Sequence, residues 1–144
     1  MSIWFDKNLS VEKIKPFGFG TMTEYLDLEW LEVGEDYIKA RLPVNQKTIQ
    51  PYGLLHGGAS CVLAETLGSV GSAMVVDHSK YYCVGLEINA NHIKGVRKGY
   101  VTGVASPLHL GSTTHVWDIR IFDESEKLSC ISRLTVIIIP RKGQ

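Results

Sequence analysis

The chain has 144 residues and a mass of 16.0 kDa, the size of one domain built on one hydrophobic core. Hydrophobic residues at 44%, charged residues at 21%, fourteen glycines and five prolines fit an ordinary globular protein and exclude collagen-like and disordered classes. Fifteen basic residues balance fifteen acidic ones, so no net field favours a polyanion, and nucleic acid is not an expected partner.

The N-terminal run MSIWFDKNLSVEK mixes charges into its apolar residues and lacks the unbroken hydrophobic region of a secretion signal, so a cytoplasmic location is expected. Residues 8–16 carry Leu9, Val11 and Ile14 among charges and read as a short surface helix. Leu26, Leu28 and Trp30 alternate with Asp27 and Glu29. Gly34-Glu35-Asp36 then turns the chain into Ile38, Ala40 and Leu42, alternating with Lys39 and Arg41, which predicts a β-hairpin. Over 57–76 the alternation stops and Glu65 is the sole charge. The length suits a membrane span, but four glycines, three serines, a threonine and a carboxylate are costly in lipid, so a buried helix of a soluble fold is expected. Alternation returns at 84–91, 100–106, 113–122 and 128–139, with turns at 95–99, 107–111 and 123–127. Cys61, Cys83 and Cys130 lie far apart with no CxxC pair, so they read as small buried hydrophobes, and no metal site is expected.

About six strands and one long helix give an α+β architecture over residues 1–144, one domain, with the antiparallel sheet wrapped around the helix. Gly68, Gly71, Ser72 and Ala73 permit close approach of helix and sheet. The open sheet edges must be paired or protected, and a second copy is the simplest partner, so at least a homodimer is expected.

A lone carboxylate in an apolar helix is costly to bury, so Glu65 reads as a general base or nucleophile. A structural acid held by backbone or hydroxyl partners is the alternative. Ser69 lies one turn further on the same helical face, where its hydroxyl can orient the carboxylate or a water. His56-Gly57-Gly58 precedes the helix, and its glycines let a ligand reach backbone N–H groups that suit a developing oxyanion. Gln50, extended ahead of Pro51, offers an amide donor. Gly57 and Glu65 are separated by about 12 Å of helical rise, too far to touch one carbonyl, so two chains are expected to build each site.

The run QPYGLLHGGASCVLAETLGSVGS, followed by VGLEINANHIKGVRKG, PLHLGSTTHVWDIRIFDE and SRLTV, resembles the hotdog-fold acyl-CoA thioesterases. The resemblance is to the branch of dihydroxynaphthoyl-CoA thioesterases of menaquinone synthesis and proofreading aryl thioesterases of enterobactin synthesis, and it extends over about residues 26–140. It implies a hotdog fold and hydrolysis of an aromatic or medium-chain acyl-CoA, with coenzyme A as part of the substrate and no separate cofactor. It makes Glu65 the catalytic carboxylate, sets Gln50 and His56 beside the thioester, and gives the Gly57 N–H to its carbonyl and Ser69 to the attacking water. It further implies substrate contacts at Gly85, at His92, Ile93, Lys94 and Gly95, and at His109, Leu110, Gly111, Ser112, Thr113 and Thr114. An acyl or aryl carrier protein is the alternative thioester donor, and a homotetramer built from dimers is the implied assembly. Two other readings are a non-catalytic acyl-CoA sensor and a hotdog hydratase or dehydratase. The second wants an acid and a histidine together on the helix, whereas here the histidine precedes it.

Overall fold

A computed structural model describes residues 1–143. Short helices α1 (Val11–Ile14) and α2 (Met22–Tyr25) lead into strands β1 (Glu29–Val33) and β2 (Ile38–Pro43), then helix α3 (Gly57–Val75) and strands β3 (Tyr81–His92), β4 (Tyr100–Leu110), β5 (Thr114–Phe122) and β6 (Leu128–Pro140). The six strands form one sheet in the order β1-β2-β4-β5-β6-β3, every neighbouring pair antiparallel. This is the α+β hotdog arrangement expected from the sequence.

The period-2 pattern of the strands sets their inner face. Ile38, Ala40 and Leu42 of β2, Val101 and Ala105 of β4, Trp117, Ile119 and Ile121 of β5, and Leu134 and Val136 of β6 are all fully buried. They close on Leu63, Ala64 and Leu67 of α3, each large side chain contributing about 1.5–3 kcal/mol by leaving water. Glycines let helix and sheet approach: a Cβ on Gly71 would stand 2.9 Å from Trp117 Cη2, and one on Gly103 would stand 2.6 Å from Leu67 Cδ1. Helix α3 has the length and hydropathy of a membrane span, yet its leucines, Gly68 and Met74 are packed inside the sheet's curve. Trp4 covers the far end of the core, stacking on Trp117 at 6.5 Å and donating its indole N–H to the Gly34 carbonyl at 2.7 Å.

Helix α1 is shorter than the 8–16 expected and β3 starts at Tyr81, ahead of the expected 84; two further differences have a local cause. The expected turn at 107–111 is strand as far as Leu110, because Pro107, which lacks an N–H, sits at a register shift of the β4–β5 ladder where no donor is needed. Leu26, read with the first strand, caps α2 instead, and Asp27 at φ 61° turns the chain before β1 begins. Cys130 is buried and its thiol is pushed up to about 11 by burial, whereas Cys61 and Cys83 are half-buried.

Candidate active site

Helix α3 starts at Gly57 because His56 caps it: the His56 backbone is extended and its Nδ1 accepts the Gly58 N–H at 2.8 Å. The Gly57 N–H, one of the donors that a helix start leaves free, has no acceptor among the described residues. It points out of the positive end of the helix. The preceding segment is pinned by His56 N–H to Thr48 O at 2.8 Å and Gln50 N–H to Leu54 O at 2.8 Å. Gln50 Oε1 accepts the Tyr52 N–H, and among the described residues its Nε2 has no partner. From β3, the His92 ring reaches the same place, since a Cβ on Gly57 would stand 2.9 Å from His92 Nε2. Gln50, Gly57, Ser60, His92 and Gly95 thus line one open groove of about 300 Å³.

Lys94 and Ile93 also border this groove. Lys94 is ion-paired with Asp123, which holds the aspartate below the usual carboxylate range.

Glu65 lies elsewhere. Its carboxylate rests on Gly85 of β3, where any Cβ would overlap Glu65 Oε1. Position 85 therefore has to be glycine for the acid to lie flat, and the strand register shifts between Gly85 and Glu87 beside it. Glu65 makes no hydrogen bond among the described residues, and burial holds its carboxyl above the usual glutamate range. Ser69, one turn on, is half-buried, and no hydrogen bond joins it to Glu65. The carbonyl-bonded hydroxyl nearby is that of Thr66, which donates to Val62 O at 2.6 Å.

The turn after β4 stands at Glu65's end of the sheet. Thr114 is level with Ile137, and Ile137 with Val84. Two strand spacings therefore set Thr114 about 10 Å from the Gly85 side. Gly111 N–H donates to Thr114 O at 2.9 Å, while the exposed Ser112 and Thr113 have hydroxyls without partners among the described residues. The exposed His109 ring folds toward Gly111.

The expected residues thus fall into two groups. Gln50, His56, Gly57, His92, Ile93, Lys94 and Gly95 stand at the helix start, whereas Glu65, Ser69, Gly85 and residues 109–114 stand at its middle. A buried chain of polar side chains, Ser72, His115 and Trp117, went unread in the sequence. Its only sequence signals are a serine and a histidine each set among core residues.

Residues 52–130 match the thioesterase superfamily. The chain is 47% identical over 137 residues to the 1,4-dihydroxy-2-naphthoyl-CoA hydrolase of Escherichia coli, covering 95% of this chain and 99% of that protein. It is 41% identical to the proofreading thioesterase EntH of Cronobacter turicensis, covering 95% and 98% respectively. A crystal structure of a variant of thioesterase PA1618 from Pseudomonas aeruginosa superposes with a TM-score of 0.94 at 46% identity, covering 97% of this chain and 100% of the other. Thioesterase HI1161 from Haemophilus influenzae gives 0.90 at 41%, covering 96% and 95%.

Proposed function

The chain belongs to the thioesterase superfamily and is a thioester hydrolase, and we propose that it acts on aromatic or medium-chain acyl-CoA with Glu65 as base or nucleophile. The observation that carries this reading is the Glu65 carboxylate itself: half-buried, without a hydrogen-bond partner among the described residues, raised in pKa by burial, and seated on a glycine. A carboxylate so placed is poised to take a proton from water or to attack the carbonyl. As the C–S bond breaks, the thiolate of coenzyme A recovers a proton and the acid is released. The Gly57 N–H, at the positive helix end, holds the developing oxyanion. Gln50 and His56 flank the thioester, His92 stands beside the Gly57 donor, and Ser69 steadies the water. Ser112 and Thr113 meet the coenzyme A end of the substrate.

Gly57 and Glu65 of one chain are about 12 Å apart along the helix, so the site is shared between two copies. The two sheet edges favour this. Strand β1 is short, its register shifts, and its Glu29 and Glu32 pair with Arg41 and Lys39. Strand β3 is twelve residues long, with Val84 42% and Leu86 60% exposed, the kind of edge that invites another strand. A two-fold axis beside Ile88 sets Gly85 of one copy across from Asn91 of the other. That brings the Glu65 end of one helix to the Gly57 and His92 end of its neighbour. Pairs of such dimers make the homotetramer, and the cytoplasm is the working compartment.

Thiol release from a panel of acyl-CoAs tests the substrate class. Benzoyl-, dihydroxynaphthoyl- or octanoyl-CoA is expected to exceed acetyl-CoA in kcat/KM by at least about 10-fold, the scale of apolar pocket discrimination. Equal values across the panel would overturn the assignment.

A further inference from the structure

Ser72, His115 and Trp117 are fully buried, and buried polar groups of this kind are kept for the partners they find. The Trp117 indole N–H can only donate, and it donates to Ser72 Oγ at 2.8 Å. The same Ser72 Oγ is hydrogen-bonded to His115 Nδ1 at 3.0 Å. His115 is also in register with Leu110 of β4, so the pair flanks the Gly111 N–H to Thr114 O hydrogen bond that closes the turn. The hydrogen bond to Ser72 therefore ties helix α3 to the strand residue that flanks the turn at Gly111. The turn is fixed on its other side by Ile138 N–H to Thr113 O at 2.9 Å. Ser72 lies seven residues beyond Glu65, nearly two helical turns and about 10 Å along the axis.

We propose that His115 is a positioning residue: through Ser72, and from its place beside the turn, it locks the turn carrying Ser112 and Thr113 to the helix that carries Glu65. The inference rests on the reading above that this turn meets the coenzyme A end of the substrate. Locking fixes the distance between the thioester site and the nucleotide contacts, so a substrate that spans both gains from it and a short thioester does not. An apolar core would hold the sheet together without a histidine here.

The experiment compares acyl-CoA with the N-acetylcysteamine thioester of the same acyl group, well below each variant's Tm. His115→Leu removes the hydrogen bond to Ser72. His115→Gln is the milder form, polar but without the ring nitrogen beside Ser72, and it carries the test if the leucine variant does not fold. Ile119→Val, on the same strand, controls for lost stability alone. KM for acyl-CoA is expected to rise about 5-fold or more, the scale of one hydrogen bond, with kcat and the short-substrate kcat/KM within about 2-fold and with KM unmoved in Ile119→Val. Equal changes for both substrates, an unchanged KM, or the same rise in Ile119→Val would overturn the proposal. Ser112→Ala with Thr113→Ala separates the two readings. If that pair fails to raise KM selectively for acyl-CoA, the turn is not a coenzyme A contact and both readings fall. If it does so and the His115 variants do not, only the positioning role falls.

Discussion

The start and the middle of helix α3 hold two kinds of chemistry in opposite surroundings. At the start, donors come from backbone and loop: the Gly57 N–H has no acceptor among the described residues, His56 caps the helix, and Gln50 and His92 close an open groove. At the middle, a lone carboxylate lies against a strand, raised in pKa by burial, with a glycine making its room. In the proposed reaction the Gly57 donor and the Glu65 base are each half of the site. The helix holds the halves about 12 Å apart, so the separation itself argues for a second copy.

The middle is the half expected to respond most to a single atom. Glu65→Gln keeps the shape and removes the proton acceptor, and kcat is expected to fall at least about 10²-fold in a thiol-release assay. Activity within a few-fold of the parent would place the chemistry elsewhere. In the parent, the acid limb of kcat/KM is expected above the usual glutamate value of about 4.3, because the raised carboxyl must lose its proton to act.

The start is tested by the donor alone. Gly57 is the first helical residue and follows an extended His56, a position where proline is tolerated. Gly57→Pro deletes the N–H, while Gly57→Ala keeps it and makes a similar contact with His92. The proline variant is expected to lose about 10²-fold in kcat relative to the alanine variant, the scale of one oxyanion donor. Equal rates in the two would remove Gly57 from the chemistry.

Gly85→Ala sharpens the contrast by displacing the carboxylate and leaving the groove untouched. A loss of about 10-fold in kcat is expected. A rate equal to the parent's would show that Glu65 acts from another position.

The smallest effect is on stability. Because the folded-state value of Glu65 is raised, its charge costs stability above that value and costs none where the group is protonated in both states. Glu65→Gln is therefore expected to melt higher than the parent at pH 7, by roughly 1–3 °C, with the gap closing toward pH 4. A gap that widens on acidification would mean that the carboxylate is stabilised in the fold.

Much of this was legible in the chain. The collapse of charge over 57–76 marked the helix, alternation marked the strands, and a lone acid among apolar residues marked Glu65. What stayed hidden depends on contacts between distant residues. Gly85 is marked by the resemblance alone, and the need for a glycine there emerges only when Glu65 is seen lying on it, while His92 reaches Gly57 only through the fold. The Ser72–His115 pair spans 43 residues, beyond any local pattern. Residues 107–111 carry turn-type residues, yet the strand runs on to Leu110 across a register shift that only the pairing with β5 reveals.

Mixing two inactive chains tests the shared site most directly. Glu65→Gln and Gly57→Pro chains, exchanged under conditions where a tag confirms mixed dimers, are expected to form heterodimers in which one site keeps both an intact Glu65 and an intact Gly57. About a quarter of parental activity should return, since a random mixture is half heterodimer and each heterodimer carries one good site of two. Confirmed exchange with no activity above the unmixed variants would mean that each site is built within one chain.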